Sequence, residues 1–386
     1  MGSKKIIFLA ASSLVLLALL AGGSLWAAGV WKPFSGGTAD GVVWQERADL
    51  AQAELADSFW NESRGLYDNV SPCIAQLCTD PFNYWWQAHA VDVLVDGYER
   101  TGDERYEKLL ERMYEGIAER NAGVYPNDYY DDMEWMGLAW LRAYDATQDK
   151  RYMDVARLLW EDVKTGWNEE QGGGIAWRKE QLDYKNTPAN APAVILAVRL
   201  YEHTKDQDDL DWAIRIYEWQ KKTLVDPDSG FVWDGINRQG DGAVDKDWKF
   251  TYGQGVYIGA GVELYRVTGD EGYLADARKT ADAAKEELTS SATGMLPSEG
   301  DGDGALFKGI FVRYLGELIQ VDNEPKAWIE LLETNAASLW DFGKDTEQAR
   351  FSNSWAQTPE NAVQLSTQLS AVMLLEQRAR VEEREK

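Results

Sequence analysis

A phrase that recurs four times restricts the possible folds of this chain more than any other feature. It reads DGYERTGDERYEKLLERM from Asp96, RAYDATQDKRYMDVARLLWEDV from Arg142, RLYEHTKDQDDLDWAIRIYEWQ from Arg199 and ELYRVTGDEGYLADARKTADAA from Glu263. In each copy an apolar pattern of helical period ends in a tyrosine, a short turn containing Thr and Asp follows, and a second helical pattern begins. The repeating unit is therefore predicted to be an antiparallel helical hairpin.

The spacing of the repeats indicates long loops between the hairpins. The tyrosines, at 98, 144, 201 and 265, are separated by 46, 57 and 64 residues, which is longer and less regular than in an ordinary solenoid. The additional residues are rich in glycine and tryptophan, and they lie between the second helix of one hairpin and the first helix of the next. These segments are 166–193, 226–255 and 294–309.

An array of about six such hairpins that closes on itself would give an all-α double ring. The inner helices would line a cup, and the long loops would gather on one rim, where function is expected. An open solenoid is the alternative fold, but solenoid repeats are more uniform in length and lack these loops. No linker or low-complexity tract interrupts residues 45–380, so we expect one domain there, preceded by a short linker over residues 32–44.

The first 31 residues are typical of a membrane-directed segment. Lys4 and Lys5 precede a run from Ile6 to Trp31 that contains no charged residue. The run fits a signal peptide with a cleavage site before Ser24, and it is also long enough for an uncleaved membrane anchor. Either alternative places the rest of the chain outside the cytoplasm, secreted or tethered to the outer face of the membrane. We expect membrane contact through this segment alone.

The two cysteines agree with export. Cys73 and Cys78 lie in SPCIAQLCTD, close enough to close a small loop in an oxidising compartment. We predict a disulfide between them. Two free buried thiols are the alternative, and a metal site is disfavoured because no histidine lies nearby.

Charge and aromatic content narrow the class of ligand. The chain has 65 acidic and 39 basic side chains, a formal charge of −26, which excludes the basic surface that nucleic acids require. It also has 18 tryptophans and 18 tyrosines, more flat rings with a polar edge than core packing needs. Such rings stack on sugar faces, so a carbohydrate ligand is favoured.

The phrase NDYYDDMEWM places Asp131 beside Asp132 at a predicted helix N-terminus. Acidic residues favour first turns because they meet the positive end of the helix dipole, and this structural explanation stays open. The neighbouring Tyr129, Tyr130 and Trp135 restrict solvation, however, and close carboxylates in such surroundings push their pKa values apart. A retaining glycosidase needs this division into an anionic nucleophile and a protonated acid.

Five phrases together resemble one family of enzymes. NDYYDDMEWMGLAW, YKNTPANAPA, FTYGQG, LFKGIFVRYL and LSTQLSAVMLL, in this order, are similar to glycoside hydrolase family 76, the endo-α-1,6-mannanases and their relatives that act on fungal mannan. The resemblance covers roughly residues 45 to 376. It implies an (α/α)6 toroid that forms a glycoside hydrolase domain over residues 45–380. It also implies retaining, endo-acting hydrolysis of α-1,6-mannosidic linkages, with Asp131 as nucleophile and Asp132 as acid/base.

The same phrases, with the three further segments FNYWWQAH, FVWDGIN and FSNSWAQTP, supply candidate substrate-binding residues. Tryptophan and tyrosine rings would stack on sugars, and amides and carboxylates would bind hydroxyl groups. Core packing is the alternative for Trp85 and Trp86, backbone capping for Asn186 and Asn190, and ion pairing for Lys308 and Arg313. The candidates are Asn83, Trp85, Trp86, Tyr130, Asn186, Asn190, Trp233, Asp234, Tyr252, Gln254, Lys308 and Arg313, with Trp355 as an additional wall.

Other functions stay open beside hydrolysis. The same family includes fungal wall proteins thought to transfer the glycan to another sugar, and a non-catalytic lectin would also keep the tryptophans. A uronide-processing toroid would need a basic cluster, of which the loops show little. The chain has only His89 and His203, which argues against histidine-based epimerases. We expect a monomer that uses no metal or cofactor and takes an α-mannan polysaccharide or oligosaccharide as its partner.

Overall fold

A computed structural model describes residues 43–74, 78–360 and 362–385. Twelve α-helices account for most of these residues, and seven short strands lie in the connections between them. The helices are α1 (Val43–Phe59), α2 (Tyr84–Thr101), α3 (Glu104–Arg120), α4 (Tyr130–Thr147), α5 (Lys150–Lys164), α6 (Ala191–Thr204), α7 (Gln207–Leu224), α8 (Thr251–Thr268), α9 (Glu271–Leu288), α10 (Gly304–Val321), α11 (Lys326–Asp341) and α12 (Leu365–Arg384). The strands are β1 (Trp60–Asn61), β2 (Leu66–Tyr67), β3 (Val70–Ser71), β4 (Ala176–Arg178), β5 (Gln181–Asn186), β6 (Gly235–Ile236) and β7 (Val363–Gln364).

The even-numbered helices form an inner ring and the odd-numbered helices an outer ring. Each inner helix packs against the next one in chain order, and α12 packs against α2, which closes the ring. Each outer helix from α3 onward packs on the inner helix before it, and α1 packs on α12 to supply the sixth pair. The predicted (α/α)6 toroid is therefore confirmed, and the open solenoid is excluded.

The repeated phrase forms the tight turns between inner and outer helices. In the first copy, Gly102 adopts a left-handed conformation, with φ of 67°, and its N–H donates to the carbonyl of Tyr98 at 2.7 Å. The carboxylate of Asp103 accepts the N–H of Arg105 at 2.9 Å and caps α3, while the Thr101 hydroxyl accepts the N–H of Asp103 at 3.2 Å. The equivalent capping aspartates are Asp149, Asp206 and Asp270.

All the long connections lie at the opposite end of the helices. Because each tight turn joins the C-terminus of an inner helix to an outer helix, every connection back to the inner ring lies at the other end. We call these ends the turn end and the loop end. At the loop end, β4, β5 and β6 form a small antiparallel sheet from the connections 165–190 and 225–250. The inner helices begin here, so their first turns face the mouth of the ring.

The described residues include only part of the N-terminal region for which the sequence makes predictions. The predicted signal peptide or anchor, residues 1–31, lies outside the described residues, as does the predicted linker except for its last two positions. These two positions open α1, which begins at Val43. Cys73 and Cys78 form a disulfide, which confirms that prediction. None of the helices in the described ranges is long and apolar enough to cross a membrane.

Candidate active site

A cavity of about 540 Å³ opens at the loop end of the ring. The first two turns of α2, α4, α8 and α10, with the residues directly before these helices, supply part of its lining, and the connections before α6 and α8 supply the rest. Of the residues predicted from the sequence, the cavity brings together Asn83, Trp85, Asp131, Asp132, Asn186, Asp234 and Tyr252. Their proposed roles toward a substrate stay predictions.

Asp131 and Asp132 lie in the first turn of α4, and each carboxyl group is held by a hydrogen bond. One oxygen of Asp131 accepts the indole N–H of Trp177, on β4, at 3.0 Å, and the other accepts the backbone N–H of Asp132 at 3.0 Å. The carboxyl group of Asp132 accepts the side-chain amide of Asn127 at 3.1 Å. The two side chains are therefore oriented by different donors, although they are neighbours in the chain.

The environment of the pair raises the pKa of both carboxyl groups. Burial raises the pKa of Asp131 to about 7, with a smaller contribution from Asp234, against the hydrogen bonds that lower it. Burial also raises the pKa of Asp132 well above its ordinary value, and the negative charges of Asp131 and Asp303 add to this effect. The helix dipole favours an anion at this position, but burial outweighs it. Asp131 accepts two hydrogen bonds and Asp132 one, so when the pair loses its first proton the negative charge is favoured on Asp131.

Aromatic rings form one wall of the cavity beside the pair. The ring of Tyr129 meets the indole of Trp177 edge-on, with centroids 5.2 Å apart, and Trp177 meets Tyr184 edge-on at 5.9 Å. Trp177 thus contacts two rings and donates its N–H to Asp131. This contact couples the position of the wall to the orientation of the carboxyl group.

A second aromatic wall comes from α2, α8 and α10. Tyr252 stacks on Phe307 with centroids 4.0 Å apart, and Phe250 contacts both rings. Phe307 also meets Trp85 at 6.4 Å, and Trp248 extends the wall beyond Phe250. Flat rings on two walls suit the apolar faces of sugar rings.

Asp234 is the centre of a polar cluster in the cavity. Its carboxylate accepts the hydroxyl of Tyr252 at 2.7 Å and that of Tyr184 at 3.3 Å, and it pairs with Arg238. The guanidinium of Arg238 also lies over the ring of Trp248, 3.9 Å from its centroid. Arg238 is the only cation that the described residues contribute to the lining, beside four aspartates. Anionic ligands are thus disfavoured, and neutral sugars fit.

Two predicted amides serve the backbone of the loops instead of facing the cavity. The side chain of Asn190 is fully buried, accepts the N–H of Ile175 at 2.8 Å and donates to the carbonyl groups of Ile175 and Asn186 at 3.0 and 2.8 Å. Gln254 is fully buried, accepts the N–H of Val232 at 2.8 Å and donates to its carbonyl at 2.6 Å. Both amides stabilise the loops by replacing missing backbone partners.

Lys308 and Arg313, on α10, are buried away from the cavity. The ammonium of Lys308 lies over the ring of Trp355, 4.1 Å from its centroid, and Trp355 is fully buried and so forms no wall of the site. Arg313 lies toward the turn end, where its guanidinium pairs with Asp92 at 2.8 Å and Asp96 at 2.6 Å. For Arg313 the structure therefore shows an ion pair, which was the alternative to substrate binding.

Three predicted aromatic residues are not among those that line the cavity. Tyr130 is buried, with its hydroxyl 3.3 Å from that of Thr165. Trp86 is buried and donates its N–H to Asp303 at 2.9 Å. Trp233 is half-buried, and the ammonium of Lys246 lies 4.4 Å from its ring centroid.

Sequence reasoning missed several residues of the lining. All of them lie in or beside the glycine- and tryptophan-rich segments that were predicted to form the rim. That location was the available signal, but it did not indicate which ring or carboxylate would face inward. These residues are Trp177, Tyr184, Arg238, Trp248, Phe250, Asp303 and Phe307.

A closed ring of helical hairpins that holds a carboxyl pair between aromatic walls defines a carbohydrate-active protein. Residues 43–385 match the model of glycosyl hydrolase family 76, and the chain belongs to this family. Among curated proteins it is similar to the mannan endo-1,6-alpha-mannosidase DCW1 of Candida glabrata, with 25% identity over 70% of this chain and 66% of that protein. The equivalent protein of Saccharomyces cerevisiae is 23% identical over the same shares. The chain thus spans just under two thirds of the length of these two relatives.

Solved structures give a closer likeness. The α-1,6-mannanase GH76A of Salegentibacter sp. HEL1_6 is 43% identical and superposes with a TM-score of 0.83, covering 88% of this chain and 99% of that chain. An inactive variant of the same mannanase, with two consecutive aspartates replaced by alanine, has been solved in complex with α-1,6-mannotetraose, with a TM-score of 0.82. The Lin0763 protein of Listeria innocua is 41% identical, with a TM-score of 0.83.

Proposed function

We propose that the protein hydrolyses α-1,6-mannosidic linkages within mannan chains, with retention of configuration at the anomeric carbon. The observation that carries this proposal is the buried carboxyl pair Asp131 and Asp132 in the first turn of α4, which lines the cavity beside the aromatic walls. The inactive Salegentibacter mannanase, which lacks two consecutive aspartates and binds α-1,6-mannotetraose, supports the same assignment. The similarity to two mannan endo-1,6-alpha-mannosidases supports the substrate and the linkage.

The reaction follows a double displacement. In the first step the Asp131 carboxylate attacks the anomeric carbon while Asp132 gives its proton to the glycosidic oxygen, so that the bond to the leaving sugar breaks and a glycosyl ester forms on Asp131. In the second step the Asp132 carboxylate takes a proton from a water molecule, whose oxygen attacks the anomeric carbon. The ester bond breaks, and both side chains return to their starting protonation states.

The aromatic rings, amides and charges that line the cavity also suit a neutral glycan. The rings of Trp177 and Phe307, one on each aromatic wall, offer faces for stacking, and the side-chain amides of Asn83 and Asn186 offer donors and acceptors for hydroxyl groups. The excess of carboxylates over cations disfavours phosphorylated or uronic acid chains. Linear α-1,6-mannan meets these requirements.

We also propose that the protein acts outside the cytoplasm. The Cys73–Cys78 disulfide supports this location, because such bonds persist in oxidising compartments. The apolar segment expected to direct export agrees with it.

The decisive experiment follows linear α-1,6-mannan by NMR in the presence of the purified protein. The proposal requires new reducing ends, with the α anomer formed first, and labelling of Asp131 by a mannose-configured inactivator, located by peptide mass spectrometry. First formation of the β anomer would contradict retention. Products longer than the substrate would favour transfer to a sugar acceptor, and binding without turnover would favour a lectin.

A further inference from the structure

Asp303 lies in the cavity directly before α10 and holds two tryptophans of α2. One oxygen of its carboxylate accepts the indole N–H of Trp85 at 3.1 Å and that of Trp86 at 2.9 Å. The helices α2 and α10 are not neighbours in the inner ring, because α12 lies between them. The carboxylate therefore joins two separate sectors of the mouth of the cavity.

The first turn of α10 contacts Trp85 twice. Phe307 follows Asp303 by four residues, so both side chains lie on the same face of the helix. The ring of Phe307 meets that of Trp85 with centroids 6.4 Å apart, while Asp303 holds the indole N–H. Trp85 is partly exposed in the cavity wall, and these two contacts fix the plane that it presents.

The second oxygen of Asp303 is available to a ligand. It has no hydrogen-bond partner in the described part of the chain, and the residue is exposed where it lines the cavity. A carboxylate accepts hydrogen bonds at both oxygens, and those to an ionised group are about twice as strong as neutral ones. A sugar hydroxyl is the donor that this site would meet.

On the basis of the proposed function, we propose that Asp303 both binds the glycan and positions Trp85 for mannan hydrolysis. One carboxylate oxygen fixes the indole of Trp85 as a wall for a sugar ring, and the other accepts a hydroxyl group of the same glycan. The residue thus selects for a sugar that offers an apolar face and an adjacent hydroxyl group at the mouth of the cavity.

The charge of Asp303 also acts on the carboxyl pair. It raises the pKa of Asp132, after burial and the charge of Asp131, while the amide of Asn127 lowers it. From α2 the hydroxyl of Tyr84 also faces Asp132, but this hydroxyl donates to a backbone carbonyl and stays neutral because burial raises its pKa. Removing the charge at position 303 should therefore let Asp132 lose its proton at lower pH.

Two substitutions separate these contributions. Asp303→Asn keeps an oxygen that accepts the indole N–H groups but removes the charge, so the basic limb of the pH profile of kcat/KM is expected to move to lower pH. Asp303→Ala also removes the acceptor, and KM for α-1,6-mannan oligosaccharides is expected to rise about tenfold, with a smaller fall in kcat. Thermal melting checks that both variants are folded.

Asp301→Asn is the matched control. This aspartate lies two residues earlier on the same loop, is exposed, and accepts the side-chain amide of Asn353 at 2.6 Å, outside the main cavity. The Asp301→Asn substitution removes a carboxylate charge close to that of Asp303, and we expect it to change neither KM nor the basic limb of the pH profile.

The outcomes distinguish this inference from the proposed function. If the unsubstituted protein cleaves mannan and both Asp303 variants behave like Asp301→Asn, the inference is wrong and the function stands. If kcat falls for Asp303→Ala with KM and the pH profile unchanged, the role is structural and the inference is also wrong. If the unsubstituted protein neither cleaves nor binds α-1,6-mannan, the proposed function fails, and the inference fails with it.

Discussion

The two ends of the toroid both bury carboxyl groups, but Asp96 at the turn end pairs with two arginines, whereas Asp131 at the loop end has no ion pair within the described residues. At the turn end Asp96 accepts Arg142 at 2.8 Å and Arg313 at 2.6 Å. Burial alone would raise its pKa, but the two arginines hold it down at about 2. At the loop end Asp131 has neutral donors instead of a cation, and burial raises its pKa to about 7.

The same type of side chain therefore forms structural ion pairs at one end of the toroid and, under the proposed function, acts on the substrate at the other. Further ion pairs join inner helices toward the turn end, such as Arg199 with Glu263 at 2.6 Å and Glu317 with Arg266 at 2.7 Å. A paired carboxylate stays ionised and cannot exchange a proton near neutral pH. An unpaired buried carboxyl costs stability, but its pKa falls in the range where it can act as acid, base or nucleophile.

The largest expected effect is the loss of turnover on substitution of the carboxyl pair. Asp131→Asn and Asp132→Asn should each lower kcat on α-1,6-mannan by roughly 10³-fold or more, because one removes the proposed nucleophile and the other the proposed acid/base. The initial rate of release of reducing ends measures this. Asp208→Asn, in the other adjacent aspartate pair of the chain, should leave the rate unchanged, because Asp208 is exposed on α7. Full activity in either cavity variant would refute the mechanism.

The next effect concerns stability and belongs to the turn end. Arg313→Ala should lower the free energy of unfolding by about 3–5 kcal/mol, because it leaves Asp92 and Asp96 buried with one arginine fewer. Urea denaturation measures this, and kcat/KM well below the melting temperature should change little. Arg112→Ala removes a half-exposed ion pair with Glu62 and should cost under about 1 kcal/mol. Equal losses in the two variants would remove the contrast between buried and surface pairs.

An Asp→Asn substitution should change the melting temperature in opposite directions at the two ends of the toroid. Because burial raises the pKa of Asp131 in the folded protein, its ionisation lowers the stability of the fold as pH rises from about 4 through about 7. Asp131→Asn should therefore raise the melting temperature at pH 8. The lowered pKa of Asp96 means that it stabilises the fold above about pH 4 and that this contribution is lost as pH falls toward 2. Asp96→Asn should therefore lower the melting temperature at pH 8. Shifts of the same sign in calorimetry would show that the comparison fails.

The smallest effect is the pH dependence of the unsubstituted enzyme. The kcat/KM should rise as pH increases through about 7, where Asp131 loses its proton, and fall at higher pH, where Asp132 does. Initial rates in constant ionic strength buffers between about pH 5 and 10 would show both limbs. An acid limb near pH 4, the ordinary value for an aspartate, would mean that burial does not control the pair.

Much of the fold was predictable because its signals are local. The Tyr, Thr and Asp of the repeated phrase each make a hydrogen bond to backbone within a few residues, as Thr101 and Asp103 show, so the turn can be recognised without the rest of the structure. The unequal spacing of the repeats likewise predicted the long loops. The adjacency of Asp131 and Asp132 was visible for the same reason.

The sequence by itself thus determined the helical hairpins, the end of the ring that carries the loops, and the carboxyl pair. Only the tertiary structure decided which other residues face the cavity. Inner helices are buried on all sides, so hydrophobic periodicity does not distinguish the side chains of Gln254 or Arg313 from those of the lining. Trp177, Arg238 and Asp303 come from three separate connections, and only closure of the ring brings them into one cavity with the pair.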